Sequence, residues 1–169
     1  MNAILIYGSC YGTTQRYAQE LSRRTGWPAA SFREMPDLVG YDTVVHLGGL
    51  YAEKVMGLAQ TVKRLPAGAT LLVVTVGLGN PADPETRKRI RNGIRKQLPE
   101  GLRAEYYHLR GAMDMEKLGL RHKMMIKGFT AVMSRTAAGK NGDMAAVTLG
   151  PVDYVDLSAL DPLVERLKQ

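Results

Sequence analysis

Six residues near the N-terminus, Ser9-Cys10-Tyr11-Gly12-Thr13-Thr14, bring hydroxyls, a thiol and a glycine together. They lie just behind the apolar run Ala3-Ile4-Leu5-Ile6 and just ahead of a helical pattern. The chemistry this suits is anion binding without a cationic side chain. Amides at a helix start have no intrahelical acceptor, and the helix dipole favours negative charge there. Ser9, Thr13 and Thr14 add hydroxyl donors, and Gly12 lets the backbone wrap closely. Two better-known phosphate loops are excluded. No lysine follows Gly12, as a Walker loop requires, and Gly8 and Gly12 miss the spacing of a dinucleotide fingerprint. A terminal monophosphate fits this loop, whereas a nucleoside triphosphate with magnesium lacks its expected partners. Taken alone, Ser9 and the threonines read equally well as turn and cap residues.

Other chemistry-bearing residues point elsewhere. His46 and His108 fall inside strand patterns and read as satisfied sheet histidines rather than bases, which leaves His122 as the histidine to test. Asp153, Asp156 and Asp161 read as turn and cap residues, not as a metal site. Cys10 is the one cysteine, so it excludes an intramolecular disulfide and a zinc cluster; it reads as loop filler or as a reactive thiol. No leader-like segment is visible and a cytoplasmic location is expected. The strongest apolar run, Thr70 to Val76, is too short to cross a bilayer.

The elements that must position the loop alternate between strand and helix. Ala3 to Tyr7 is a continuous apolar run, suited to a strand covered on both faces. Thr14 to Arg24 predicts a helix with Tyr17, Ala18 and Leu21 inward and Gly26 at its end. A short strand is expected at Ala29 to Phe32. Another is expected at Thr43 to Leu47, followed by Gly48-Gly49. Leu58, Val62 and Leu65 mark a core-facing helix. Thr70 to Val76 is the next strand, followed by Gly77-Leu78-Gly79-Asn80. Asp83-Pro84 then caps and opens a helix with Ile90, Ile94 and Leu98 on one stripe and Arg87, Arg91 and Arg95 on another. Ala104 to Leu109 predicts a fifth strand. The pattern loosens from Gly111 to about Gly142, a short apolar stretch at Ala145 to Leu149 fits an edge strand, and a helix from Asp161-Pro162 buries Leu163, Val164 and Leu167. Such alternation implies a parallel sheet with right-handed crossovers. Glycines at Gly8, Gly48-Gly49 and Gly77 fall after three strands. In an open parallel sheet those positions line the carboxyl edge, so three loops are expected to build one site.

On these residues the chain resembles the flavodoxin family, whose phosphate loop follows S/T-x-T/S-G-x-T after the first strand. Ser9, Gly12 and Thr14 match it, while Cys10 and Tyr11 hold its variable or hydroxyl-bearing places. The resemblance implies a doubly wound α/β domain with a five-stranded parallel sheet in the order 2-1-3-4-5. It also implies flavin mononucleotide (FMN), with its phosphate in the loop Ser9 to Thr14. The loops carrying Gly49, Leu50, Tyr51 and Ala52 and Gly77, Leu78, Gly79 and Asn80 would flank the isoalloxazine ring. Tyr51 is the aromatic best placed to stack on the flavin, with a surface role as the alternative. Leu78 or open space would meet the other ring face, and Trp27 is expected to pack.

The length of 169 residues fits one domain. Twenty-three Lys and Arg against sixteen Asp and Glu give a net charge of +7, which favours an anionic partner. Electron-ferrying flavodoxins are typically acidic, so the sign is reversed here. The cluster Arg87 to Arg91 reads as the solvated face of an amphipathic helix. A second cluster runs from Arg110 to Lys140. Its segments Arg110-Gly-Ala-Met113 and Met125-Ile-Lys-Gly-Phe129 resemble the insert of menaquinone-dependent protoporphyrinogen oxidases, a flavodoxin-like family. That resemblance implies an oxidoreductase passing electrons from a porphyrinogen-type substrate to a quinone, with the insert at about 111–143. The basic side chains there suit propionates or lipid phosphates, and the methionines suit a greasy pocket, a membrane surface or simply core packing. A flavin in positive surroundings is expected to have a less negative reduction potential, since a contact charge is worth ~1 to 4 kcal/mol. Two alternatives stand beside the enzyme: a small electron carrier, and a non-catalytic anion-binding domain of the same fold. No nucleic-acid motif accompanies the charge.

Overall fold

The computed structural model describes residues 2–51, 54–114, 119, 123–124 and 151–168. Among the described residues eight strands form: β1 (Ala3–Gly8), β2 (Ala29–Ser31), β3 (Thr43–Tyr51), β4 (Lys54–Val55), β5 (Thr70–Gly77), β6 (Ala104–Arg110), β7 (Ala112–Met113) and β8 (Val152–Asp153). The α-helices among these residues are α1 (Thr13–Thr25), α2 (Leu58–Arg64), α3 (Pro84–Arg95) and α4 (Asp161–Leu167). The main sheet runs β2-β1-β3-β5-β6, all parallel, with β4 added antiparallel to the end of β3. With β4 set aside, this is the order 2-1-3-4-5 that the sequence implies.

Both faces of the sheet are covered, which explains the unbroken apolar runs of the inner strands. Leu5, Val45, Leu47, Leu72, Val74 and Val76 face one way, against Tyr17, Ala18 and Leu21 of α1 and Leu163, Val164 and Leu167 of α4. Ile4, Ile6, Val44, Leu71 and Val73 face the other way, against Leu58 of α2 and Ile90 and Ile94 of α3. Trp27 packs against the first of these cores, as expected. Arg24 ties α1 to the C-terminal elements: its guanidinium meets the Asp161 carboxylate at 2.6 Å and donates to the Leu157 carbonyl at 3.0 Å.

Helix boundaries follow their caps. Gly26 closes α1 in the left-handed conformation, φ 75°, and donates its N–H to Ser22. Asp83 caps α3, accepting from the amides of Glu85 and Thr86, with Pro84 at the first turn. Two expected helix positions fall just outside. Leu65 is the extended residue that ends α2, and Leu98 lies past α3, though both pack on the second core.

One strand end needs correction. The strand expected to stop at Leu47 continues to Tyr51, because Leu50 pairs with Val55 and Tyr51 with Lys54 across a hairpin. The glycine pair 48–49 therefore lies within β3, and Gly8 and Gly77 are last strand residues rather than loop residues. The expected strand at Ala145 to Leu149 and most of the expected 111–143 insert lie outside the described residues. At the insert's start, β7 pairs antiparallel with β8, Ala112 opposite Asp153 and Met113 opposite Val152.

Candidate functional site at the carboxyl edge of the sheet

The first loop is built around its serine and its glycine. The Gly12 amide donates to Ser9 Oγ at 3.0 Å, closing the turn from Ser9 to Gly12. Gly12 sits at φ 87°, and nothing lies within 4 Å of where its Cβ would be. Backbone conformation, not crowding, demands glycine there. Gly12 offers no side chain to cap α1, so the amides of Thr13, Thr14 and Gln15 at the helix start have no intrahelical acceptor. These are the donors a phosphate needs, and Ser9 retains its own proton to give. Of the two threonines, Thr14 is buried at 3 % exposure, while Thr13 is partly exposed at the rim.

The second loop is a hairpin folded down onto the ends of β1 and β3. A methyl on Gly8 would come within 2.3 Å of the Met56 carbonyl oxygen, and one on Gly48 within 2.3 Å of Val55 Cγ1. Glycine is required at both positions by this close approach. Cys10 Sγ lies 3.7 Å from Met56 Sδ, which joins the first loop to the second. Tyr51 turns back over Gly49, where a methyl would come within 2.9 Å of its Cε2 and 3.5 Å of Thr14 Oγ1. Burial first, then the neighbouring Cys10, raises the Tyr51 phenol above its ordinary pKa.

The third loop meets the second through Leu50, whose Cβ lies 3.4 Å from the position of a Gly77 methyl. Its carbonyls are held from β6. Arg110 Nη2 donates to Leu78 O at 3.2 Å, and His108 Nε2 donates to Gly79 O at 3.0 Å. Asn80 serves the turn into α3, its Oδ1 accepting from the Ala82 amide at 2.9 Å. Among the expected contact residues, then, Ser9, Cys10, Gly12, Thr14, Gly49, Leu50, Tyr51, Gly77, Leu78 and Gly79 are brought together. Asn80 is directed into its own turn, Tyr11 is 41 % exposed with its hydroxyl accepting from the Gly119 amide at 3.2 Å, and Ala52 lies outside the described residues.

Both strand histidines are satisfied, as the sequence suggests, and each also does something the sequence did not reveal. His46 is fully buried. Its Nε2 lies 2.9 Å from the Met56 carbonyl, so that nitrogen carries the proton, and Nδ1 accepts from Thr61 Oγ1 at 2.9 Å. Burial pulls its pKa down to about 4. His108 repeats the arrangement, with Nδ1 2.8 Å from Thr75 Oγ1, and burial likewise lowers its pKa. One histidine thus pins the second loop and the other the third. Neither faces a reacting group, and His122 lies outside the described residues.

A fourth element completes the rim. Gly111 N donates to Gly77 O at 2.8 Å, and a methyl on Gly111 would lie 3.1 Å from Val76 Cγ1 and 3.5 Å from Thr13 Cγ2. Nothing in the spacing around Gly111 announces this. Arg110 is clamped beside it, with its guanidinium carbon 3.7 Å from the centre of the Tyr154 ring. Tyr17 secures the same corner, its hydroxyl donating to Arg110 O at 2.7 Å and accepting from the Asp156 amide at 3.0 Å. Asp153 and Asp156 act as turn and cap residues, accepting from the amides of Val155 and Ser158. Among the described residues no group of acids, histidines or cysteine is placed to hold a metal, and no helix is long and apolar enough to cross a membrane.

The donor set fits a nucleotide monophosphate: helix-start amides and a serine hydroxyl, beside the loops that carry Leu50, Tyr51 and Leu78. The family model for the flavodoxin domain matches residues 4–140. Among solved structures, an archaeal flavodoxin is 14% identical, with 64% of this chain and 85% of that chain covered and a TM-score of 0.42. Oxidised flavodoxin 1 from Bacillus cereus is 10% identical, with 75% of this chain and 92% of that chain covered and a TM-score of 0.40. A search of curated proteins finds no match. The family model spans most of the chain, so this protein belongs to the flavodoxin domain family, and the cofactor that membership implies is FMN.

Proposed function

We propose that this protein is an FMN-dependent redox protein, with the flavin phosphate held at the start of α1 and the ring lying across the second and third loops. The observation that carries the reading is the left-handed Gly12 turn, which leaves the amides of Thr13, Thr14 and Gln15 with neither an intrahelical acceptor nor a side-chain cap. When bound, FMN supplies one- and two-electron chemistry; the chain supplies position and electrostatics. Ser9 Oγ and the helix amides bind the phosphate. Tyr51, seated on Gly49, covers one side of the ring, and Leu78 lies at the other. The His46 and His108 tethers keep both loops from moving as the flavin changes charge. Arg110, at the third loop, places a positive charge near the ring edge.

That charge favours an oxidoreductase accepting electrons from an organic substrate. The finer reading is oxidation of a protoporphyrinogen-type substrate with a quinone as acceptor. It rests on Arg110-Gly-Ala-Met113, whose first two residues sit on the rim, and on Met125 to Phe129, outside the described residues. The second reading, an electron carrier, is favoured by the match to the flavodoxin-domain family model over residues 4–140. Anaerobic single turnover separates the two. FMN-loaded protein bleached by protoporphyrinogen and recoloured by menaquinone is the enzyme. Protein that exchanges electrons only with other redox proteins is the carrier.

A further inference from the structure

We infer that the outer face of α3 is a docking surface for an acidic protein that serves as redox partner. Between Pro84 and Lys96 the sequence places six cations, Arg87, Lys88, Arg89, Arg91, Arg95 and Lys96, against one anion, Glu85. All seven are exposed. None of the six forms an ion pair among the described residues, so the face carries its charge unneutralised. Elsewhere the surface behaves differently: Arg23 and Arg24 pair with Glu20, and Arg166 pairs with Glu105.

Three further observations select the occupant. First, α3 leaves the third loop without a linker. Arg87 Nη1 donates to the carbonyls of Pro81 at 2.7 Å and Ala82 at 3.0 Å, and Thr86 packs where a Gly79 methyl would stand. A partner seated on the N-terminal turn of α3 is therefore beside the candidate flavin edge, while Arg91, Arg95 and Tyr106 extend the surface away from it. Second, the face has an aromatic anchor. Arg91 lies 5.0 Å over the ring of Tyr106, which is 38 % exposed on the edge strand β6. Arginine and tyrosine are the residue types that dominate binding hot spots. Third, α3 exposes no large apolar side chain, since Ile90 and Ile94 are buried. A helix that inserts into a lipid surface needs such a side chain. Charge complementarity then points to an acidic protein rather than a membrane.

The inference rests on the redox reading for the partner's purpose but not for docking itself. Binding is therefore measured on both apo- and FMN-loaded protein. The probe is an oxidised acidic ferredoxin, titrated calorimetrically at low and at physiological ionic strength. Binding is expected in both forms, weakening steeply with salt. The triple variant Lys88→Glu, Arg91→Glu, Arg95→Glu should raise Kd at least ~10-fold, with melting temperature and FMN affinity unchanged. Lys88→Arg, Arg91→Lys, Arg95→Lys should restore most of the affinity. No binding by wild type, or equal binding by the charge-reversed variant, overturns the inference. So does wild-type binding to phosphatidylserine vesicles or duplex DNA that exceeds ferredoxin binding and is lost in the same variant. Failure of FMN to bind, with ferredoxin binding intact, would instead remove the redox reading and leave the docking surface.

Discussion

His46 makes stability depend on pH in a window where few other groups titrate. It is fully buried between the Met56 carbonyl and Thr61 Oγ1, and its pKa is lowered from 6.5 to about 4 by burial. A base whose folded pKa lies below its unfolded value is protonated first in the unfolded chain. Stability is therefore complete above pH 6.5 and declines as pH falls toward 4, where the decline levels off. A shift of about 2.5 units at 1.36 kcal/mol each gives a loss of roughly 3 kcal/mol from this one residue. His108, lowered in the same direction, adds to the slope. The perturbation that isolates His46 is His46→Gln, which keeps an N–H donor near the Nε2 position and cannot titrate. Urea denaturation between pH 7.5 and 4 should show wild type losing about 3 kcal/mol more than the variant. Because Met56 sits over Gly8, FMN affinity in wild type should hold down to about pH 4, where the native His46 itself gains a proton, and fall below it, with no such fall in the variant. Parallel stability curves for the two proteins would refute the buried, neutral histidine and its tether.

Three further substitutions probe the loops. Gly12→Ala places a Cβ in open space but at φ 87°, so it should cost about 1–2 kcal/mol in thermal or chemical denaturation and weaken FMN binding. Gly8→Ala meets the Met56 carbonyl oxygen at 2.3 Å, a backbone atom that moves only with the hairpin. A loss of ~1–3 kcal/mol is expected, with a larger drop in FMN affinity than Gly12→Ala gives. Arg110→Gln removes the cation at the third loop and should make the two-electron potential of bound FMN more negative, by about 20 mV for each ~1 kcal/mol of contact electrostatics lost. Spectroelectrochemical titration reads this directly, and an unchanged potential places the guanidinium away from the ring.

The backbone plan was legible because its signals are local. Ala3 to Tyr7 and Thr70 to Val76 read as buried parallel strands from composition alone, and Asp83-Pro84 and Gly26 marked helix ends through capping chemistry that depends only on neighbours. The convergence of three glycine-bearing strand ends followed from the parallel topology. Long-range contacts were the part that could not be read. Lys54-Val55 is too short to show a strand pattern, so the hairpin that lengthens β3 and crowds Gly8 and Gly48 left no trace in the sequence. Gly111 marked only the point where the sequence pattern loosens, yet its position is dictated by Val76 and Thr13, far away in the chain. His46 and His108 were recognisable as buried, but a tether needs a partner carbonyl, and Met56 and Gly79 carry no signature of that role.

Flavin binding by this chain requires the start of α1 to hold a phosphate. Calorimetric titration of the apo-protein with FMN and, separately, with riboflavin isolates that one group. Two or three charge-assisted hydrogen bonds, each worth roughly 1.5–3 kcal/mol, should make FMN bind at least ~10²-fold more tightly than riboflavin. Equal affinity for the two, or no affinity for either, would contradict it.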